Sequence, residues 1–293
     1  MRMATMDVGT NSTRLLVTEI REGQSPALLY QTLCTTRIGE GMEQNGGILT
    51  PAAIKRTVEA LQQFSAIAAE FSVEKLAVVA TAAVREAQNG SELVKLAWEK
   101  AGLEVRIIPG EEEARLSYLG VIKGLPEAPV DAVVIDVGGG STEFIWPSGA
   151  GRMEVASVPL GAVRATEAGL NEEQILRRLD AVLTRVTKVR PRYLIGVGGT
   201  ATTLAAMNLR LELYDPIRVH GCRLKKTDIN SWYRRLSEAS PEQRKTIPGL
   251  QSQRADIIVA GVAIVKTVLE KLDLDELTVS ETDLLWGLIY EEG

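Results

Sequence analysis

The chain has 293 residues, of which 45% are apolar and 24% are charged, and its formal net charge is −5. This balance is typical of a globular protein large enough for two domains of ordinary size. The negative charge argues against a protein that holds DNA, because that binding depends on clustered lysine and arginine. An anionic ligand would instead need local groups: backbone amides, a few basic side chains and a metal ion.

The cysteines, the histidine and the apolar runs exclude further classes of protein. Cys34 and Cys222 are the only cysteines; they form no disulfide framework or metal knuckle, which favours a reducing cytoplasmic location. No run reaches the roughly 18–20 apolar residues of a membrane span, and the N-terminus lacks the apolar segment of a signal peptide. His220 is the single histidine, which excludes mechanisms and metal sites that need two.

Apolar periodicity and helix-start signals predict the elements of the first part of the chain. The predicted strands are 2–8, 13–20, 27–37, 76–80 and 104–108. A helix begins with Thr50 as N-cap and Pro51 as its first residue, and further helices are expected over 91–101 and after residue 110. The order is therefore three strands, helix, strand, helix, strand, helix.

The same order begins again at residue 132. The predicted strands of this second part are 132–136, 142–146, 153–158, 193–197 and 277–280. Its predicted helices are 171–189, 200–207, 228–237, 254–272 and 283–290. The chain is thus expected to contain a duplication.

A short motif repeats at equivalent points of the two parts. Residues 7–13 read D-V-G-T-N-S-T and residues 136–142 read D-V-G-G-G-S-T, so five of seven positions agree. Each copy lies where a first strand ends and a second begins, and an internal repeat of this kind determines the architecture. The alternative is a pair of unrelated glycine-rich hairpins.

Two such turns predict a phosphate site. Glycines let the backbone approach a ligand, successive amides form an anion-binding nest, and Asp7 and Asp136 end their strands where α/β sheets bind ligands. The role of Asp7 stays open between orienting the first turn and holding a metal-bound water. The predicted phosphate-binding residues are Gly9, Thr10, Asn11, Ser12, Gly138, Gly139, Gly140, Ser141 and Thr142.

The turns resemble those of the actin, sugar-kinase and heat-shock ATPase superfamily, and the whole chain resembles the exopolyphosphatase/guanosine pentaphosphate phosphatase (Ppx/GppA) family. The resemblance is carried by segments that run in order along the chain. They are M-D-V-G-T-N-S-T-R-L-L-V from Met6, R-I-G-E-G-M from Arg37, A-T-A-A-V-R-E-A from Ala80, G-E-E-E-A-R-L-S-Y-L-G-V from Gly110, V-I-D-V-G-G-G-S-T-E-F from Val134, S-V-P-L-G-A-V-R from Ser157, G-V-G-G-T-A-T-T-L from Gly196, R-A-D-I-I-V-A-G from Arg254 and V-S-E-T-D-L-L from Val279.

The resemblance implies an α/β, two-lobed actin-like (ribonuclease H-like) fold of duplicated βββαβαβα domains with a central interlobe cleft. Residues 1–124 would form the N-terminal lobe and 125–293 the C-terminal lobe, and the helix at about 282–293 could pack back on the first lobe. Longer relatives carry an additional C-terminal helical domain related to metal-dependent phosphohydrolases. With one histidine, no such domain is expected here, which favours shorter polyphosphates as substrates.

Three acidic residues are expected to carry the chemistry. Asp136 and Glu143 lie on either side of the second turn, and paired strands would bring both carboxylates together in a set that suits Mg²⁺; the resemblance implies the same metal-binding role. The alternative for Glu143 is a solvated strand residue. Glu111, Glu112 and Glu113 begin a helix, where acids are also favoured by the helix dipole. The resemblance singles out Glu113 as the general base.

Arg85 is expected to bind phosphate, because its guanidinium matches phosphate oxygens and lies among small apolar residues. The alternative is an ion pair with Glu86 or Glu112. The run from Gly196 to Ala201 fits a dinucleotide-binding pattern, but the acid expected about 20 residues later does not fall at the end of a convincing strand. His220 is a candidate general base, but a lone histidine in a loop is more often structural, so its role is left open.

The resemblance implies a hydrolase that removes the terminal phosphate of inorganic polyphosphate, with Mg²⁺ as cofactor. Hydrolysis of guanosine pentaphosphate (pppGpp) is the alternative within the same reaction class. Two further candidates are a sensor that binds polyphosphate or alarmone with little turnover and a kinase of the superfamily. The expected partners are these anions, without DNA or membrane, and a homodimer is compatible with the resemblance.

Overall fold

A computed structural model describes residues 1–125, 127–129, 131–149 and 152–293 of the chain. The described residues divide into two compact units. Unit 1 comprises Met1–Gly120 and Leu284–Gly293, and unit 2 comprises Val121–Asp283. Among the described residues, no helix combines the length and apolar character that crossing a bilayer requires.

Most elements agree with the sequence-based expectation to within a few residues. The strands are β1 Arg2–Val8, β2 Thr13–Glu19, β3 Ala27–Cys34, β4 Lys75–Ala80, β5 Val105–Ile107, β6 Val133–Val137, β7 Thr142–Gly149, β8 Arg152–Val158, β9 Leu194–Val197, β10 Arg223–Lys225 and β11 Glu276–Val279. The helices are α1 Pro51–Glu70, α2 Ala82–Glu86, α3 Gly90–Ala101, α4 Gly110–Gly124, α5 Ala162–Glu167, α6 Glu172–Thr187, α7 Gly198–Asn208, α8 Pro216–Val219, α9 Lys226–Glu238, α10 Pro241–Arg244, α11 Ile258–Lys271 and α12 Leu284–Glu292.

Unit 1 is built on a five-stranded sheet of order β3-β2-β1-β4-β5. β1 pairs antiparallel with β2 and parallel with β4. The alternation of side chains along β1 sends Met6 into the core formed with α1 and α3, and Met3 into a cluster with Leu285 and Ile289 of α12. The predicted N-cap of α1 is confirmed, since the Thr50 side chain accepts a hydrogen bond from the Ala53 amide.

Unit 2 repeats this topology on a six-stranded sheet of order β10-β11-β9-β6-β7-β8. β6 pairs antiparallel with β7 and parallel with β9, as β1 does with β2 and β4. The added edge strand β10 pairs antiparallel with β11. A large apolar core, which includes Phe144 and Trp146, lies under α6, α7 and α11. Because both units have the same strand order, the two copies of the repeated motif lie at equivalent places, one between β1 and β2 and the other between β6 and β7.

The sequence-based expectation was wrong at several short elements. β3 ends at Cys34 and not at residue 37, because Arg37 adopts a positive φ of 48° and its amide donates to the Asn11 carbonyl. α2, α5, α8, β10 and α10 were not predicted, since elements of three to six residues are too short for apolar periodicity to be visible. The predicted helix 254–272 is divided into a 3-10 turn, Ser252–Arg254, and α11.

Candidate active site

The first glycine-rich turn connects β1 to β2 in unit 1. It is closed by a 3.1 Å hydrogen bond from the Gly9 amide to the Ser12 carbonyl. Asp7 ends β1 directly opposite Arg14 of β2, and the Arg14 Nη2 atom lies 2.8 Å from Asp7 Oδ2. Asp7 is therefore part of an ion pair that orients the turn, one of the two roles considered for it.

Two polar side chains of the first turn are almost fully buried. Thr10 is 7% exposed and Asn11 is 5% exposed. Asn11 Nδ2 donates to Ser12 Oγ at 3.1 Å, whereas Asn11 Oδ1 has no hydrogen-bond partner among the described residues. Oxygen and nitrogen of an amide can exchange places by rotation of the group. With the amide rotated, Asn11 would accept from Ser12 and present its NH₂ group to a ligand.

The second turn connects β6 to β7 in unit 2 with the same closure. The Gly138 amide donates to the Ser141 carbonyl at 3.0 Å. Asp136 and Glu143 are paired directly across the strands, the same register in which Asp7 faces Arg14. The two turns therefore differ in charge: an aspartate faces an arginine in the first and a glutamate in the second.

Both carboxylates of the second turn are buried: Asp136 is 9% exposed and Glu143 is 1% exposed. Glu143 is therefore not a solvated strand residue. Ser157 of β8 lies opposite Glu143, and its Oγ donates to Glu143 Oε1 at 2.7 Å. Sequence reasoning missed Ser157; its place in the third strand, across from Glu143, is the signal that could have found it. The Thr142 hydroxyl turns inward and donates to the Leu160 carbonyl.

The glycine run from Gly196 to Ala201 lies beside this pair. β9 ends at Val197, and Gly198 begins α7 with a φ of +79°. A Cβ atom at Gly198 would lie 2.3 Å from Asp136 Oδ1. A glycine is thus required at this position for the backbone to pass the Asp136 carboxylate. This packing requirement explains the glycine of the motif, so no bound dinucleotide is needed to explain it.

Glu113 and Arg85 are brought together in unit 1. Arg85 lies on α2, and its Nη1 donates at 2.9 Å both to Glu113 Oε2 and to the Ile108 carbonyl. Of the three glutamates that begin α4, Glu113 is buried at 8% exposure, Glu112 pairs with Arg106 and Glu111 is exposed. Arg85 therefore pairs with Glu113, the predicted base. It does not pair with Glu86 or Glu112, which were considered as alternative partners.

His220 joins two backbone segments of unit 2. The Glu281 amide donates to His220 Nδ1 at 3.1 Å, so the proton lies on Nε2, which donates to the Gly124 carbonyl at 3.0 Å. Tyr214 donates to the Glu281 carboxylate, and burial together with that carboxylate raises the pKa of Tyr214. Both ring nitrogens of His220 are engaged with backbone, which favours a structural role over that of a general base.

We expect His220→Leu to lower the free energy of unfolding by about 1–3 kcal/mol, because it leaves a backbone donor and a backbone acceptor without partners. His220→Gln carries one donor and one acceptor and is the matched control, with a smaller expected loss. Urea denaturation of the two variants measures the difference. Equal stability of His220→Leu and the wild type would contradict the bridging role.

Comparison with known proteins decides the family. The family model described as "Ppx/GppA phosphatase family" matches residues 16–292. The chain belongs to the Ppx/GppA phosphatase family. The resemblance found in the sequence motifs is thereby confirmed, and with it the prediction of a phosphatase.

Two curated relatives of this Ppx/GppA chain differ in how much of their length it covers. Exopolyphosphatase 2 of Mycobacterium tuberculosis is 32% identical over 98% of the chain and 97% of its own length. The bifunctional 3-dehydroquinate synthase/phosphatase of Fusobacterium nucleatum is 30% identical over 98% of the chain, but the chain spans 46% of that protein. The similarity to the first relative is thus an end-to-end match.

A solved structure confirms the fold. The crystal structure of an exopolyphosphatase from Cytophaga hutchinsonii superimposes with a TM-score of 0.90 at 27% identity, covering 100% of this Ppx/GppA chain and 97% of that one. The prediction of a duplicated α/β fold of the actin-like type is confirmed by this match.

Proposed function

We propose that this Ppx/GppA chain is an exopolyphosphatase that removes the terminal phosphate of inorganic polyphosphate, acting on shorter chains with Mg²⁺. The observation that carries the proposal is the pairing of two buried carboxylates, Asp136 and Glu143, where the repeated turn of unit 1 has an aspartate and an arginine. The end-to-end match to a relative named exopolyphosphatase supports polyphosphate as the substrate.

The carboxylate pair fits a hard divalent cation. Like charges directly opposite each other on paired strands are destabilising, and a bound cation relieves this repulsion. Two carboxylate oxygens, with waters and phosphate oxygens, match the octahedral oxygen set that Mg²⁺ prefers. Among the described residues there is no group of three or more histidine, cysteine, aspartate or glutamate side chains that could hold a metal, so the proposed protein ligands are Asp136 and Glu143. Ser157 fixes one oxygen of Glu143 and orients it.

Mg²⁺, when bound, would supply positive charge to the oxygens of the terminal phosphoryl group. Within each unit, the amides of the turn would bind phosphate oxygens as anion-binding nests do, together with the Asn11 side chain in unit 1 and the Ser141 side chain in unit 2. Phosphoryl transfer depends mostly on such positioning and charge stabilisation, which is why an acidic protein can carry it out.

Glu113 is the proposed general base. Its carboxylate would accept a proton from the attacking water as the new phosphorus–oxygen bond forms, and the bond from phosphorus to the bridging oxygen breaks. The products are inorganic phosphate and a chain shorter by one unit. In the structure Arg85 neutralises Glu113 at 2.9 Å. A phosphate oxygen that draws the guanidinium away would free the carboxylate to act as a base, so substrate binding and base activation would be coupled.

Hydrolysis of pppGpp is the second candidate function. It is supported by the family description, "Ppx/GppA phosphatase family", whose name joins Ppx with GppA. A sensor with little turnover is less favoured, because it needs neither the base nor the paired carboxylates.

A homodimer stays a prediction. The free thiols of Cys34 and Cys222 support the reducing cytoplasmic location.

A phosphate-release assay tests the proposal. Tripolyphosphate, polyphosphates of graded length, pppGpp and ATP are compared with Mg²⁺ present and with Mg²⁺ removed by chelation. We expect release from the polyphosphates only with the metal, and less from the longest chains. Release from pppGpp alone would replace polyphosphate by the second candidate, and tight binding of tripolyphosphate without release would favour the sensor.

A further inference from the structure

Each glycine-rich turn is held by a second backbone segment of its own unit. In unit 1 this segment follows β3. The Gly39 amide donates to the Thr10 carbonyl at 3.1 Å, and the Arg37 amide donates to the Asn11 carbonyl at 2.9 Å. Ile38, between the two donors, is fully buried and anchors the segment in the core.

In unit 2 the corresponding segment follows β8. The amides of Ala162 and Val163 donate at 2.9 Å to the carbonyls of Gly138 and Gly139, respectively. These donors belong to the first turn of α5, whose amides have no acceptor inside the helix. The carbonyls of the turn therefore cap α5. Leu160, like Ile38, is fully buried immediately before the glycine of the segment.

These carbonyl contacts fix the direction of the amides that would bind phosphate. In a trans peptide the C=O and N–H groups point in opposite directions, and none of the described peptide bonds is cis. When the segment holds a carbonyl of the turn, the N–H of the same peptide group, which belongs to the following residue, therefore points away from the segment. The amides fixed in this way are those of Asn11, Ser12, Gly139 and Gly140. None of the described residues accepts a hydrogen bond from them.

The close approach of each segment requires a glycine for reasons of space. A Cβ atom at Gly161 would lie 2.4 Å from the carbonyl carbon and oxygen of Gly139 and 2.6 Å from the Gly140 nitrogen. A Cβ atom at Gly39 would lie 2.5 Å from Thr10 Cγ2 and 3.2 Å from Ala83 Cβ. Any side chain at either position would displace the turn or the segment that holds it.

We propose that Gly39 and Gly161 are positioning residues for phosphate binding, one for each turn. They contact no substrate themselves. Each permits a buried segment to hold the carbonyls of its turn, and this aims the turn's amides at an anion. The proposal rests on the proposed function, because it assumes that both turns bind phosphate.

Gly161→Ala tests the proposal against a matched control. We expect the KM for polyphosphate to rise on the order of 10-fold to 100-fold, since displacement of a binding group by about 1 Å has effects of this size. Gly249→Ala is the control: its Cβ would also lie 2.3 Å from backbone, at Ala206, in the same unit. We expect the control to lose thermal stability with an unchanged KM. Equal KM values for the two variants would overturn the proposal.

A second variant keeps the test decisive if Gly161→Ala does not fold. The contact expected in Gly39→Ala is chiefly with one methyl group, Thr10 Cγ2, which Thr10→Ser removes. We therefore expect a higher KM for Gly39→Ala and recovery towards the Thr10→Ser value in the double variant Gly39→Ala/Thr10→Ser. Absence of any rise in KM for Gly39→Ala, or of recovery in the double variant, would count against the positioning role.

Failure of the proposed function would be distinguishable from failure of this inference. If the wild type releases no phosphate from polyphosphate, the function is wrong, and the positioning role is then measured by calorimetric binding of inorganic tripolyphosphate to the same variants. We expect weaker binding for Gly39→Ala and Gly161→Ala than for Gly249→Ala. If the wild type is active and all glycine variants keep its KM, only the positioning role is wrong.

Discussion

Replacement of Glu113 by glutamine is expected to lower kcat for phosphate release by about 10²–10⁴-fold, the usual contribution of a general base. The KM for polyphosphate should stay equal to that of the wild type or fall. Glutamine keeps an oxygen that can accept the hydrogen bond from Arg85, so the local packing is preserved, but it no longer neutralises the guanidinium. Arg85 would then be more available to phosphate.

Glu112→Gln is the matched control for this variant. Glu112 precedes Glu113 in the first turn of α4, but it is partly exposed and pairs with Arg106. We expect wild-type kcat and KM for it. Steady-state kinetics of both variants, with the folded state checked by circular dichroism, measure the difference. Undiminished turnover in Glu113→Gln would remove Glu113 as the base.

The second large effect is expected for Glu143→Gln, which removes one of the two facing carboxylates. If the two charges lie about 5.5 Å apart in a medium with an effective dielectric constant of about 20, they repel by about 3 kcal/mol. A bound divalent cation offsets this repulsion, and at 100 times its Kd it stabilises the folded state by about 2.7 kcal/mol. Mg²⁺ should therefore raise the Tm of the wild type and not that of Glu143→Gln.

The kcat of Glu143→Gln should fall on the order of 10³-fold, which corresponds to about 4 kcal/mol of transition-state stabilisation. Glu154→Gln is the control, because Glu154 lies on β8 of the same sheet, opposite Trp146, and forms an exposed ion pair with Arg185. It should keep both the turnover and the Mg²⁺-dependent rise in Tm. A Glu143→Gln variant that keeps that rise would exclude Glu143 as a metal ligand.

The duplication could be predicted from the sequence because its signals are local. The repeated motif at residues 7–13 and 136–142 lies between strands with clear apolar runs, so both the turn and its place in the sheet follow from letters and periodicity. The register that pairs Asp136 with Glu143 follows as well, because an antiparallel hairpin with a short turn leaves little freedom in pairing.

The partners of the site residues could not be predicted, because they come from distant parts of the chain. The contact between Arg85 and Glu113 spans 28 residues and depends on how the short helix α2 packs beside α4. The contact of Gly161 with Gly139 depends on the path taken after β8. Neither path leaves a periodic signal. From the sequence alone, Arg85 was expected to bind phosphate, with Glu86 or Glu112 as its alternative partner.

The division of the chain determines the order in which its parts can fold during synthesis. Unit 1 is discontinuous, since its last ten residues, Leu284–Gly293, follow the whole of unit 2. Met3 and Leu16 of its sheet are covered by Leu285 and Ile289, and the Thr5 hydroxyl donates to the Leu285 carbonyl at 3.1 Å. A nascent chain therefore exposes this apolar surface until α12 has emerged from the ribosome, whereas unit 2 is complete earlier. A released chain that is truncated after residue 283 should thus display a folded second unit and an incomplete first unit that recruits chaperones.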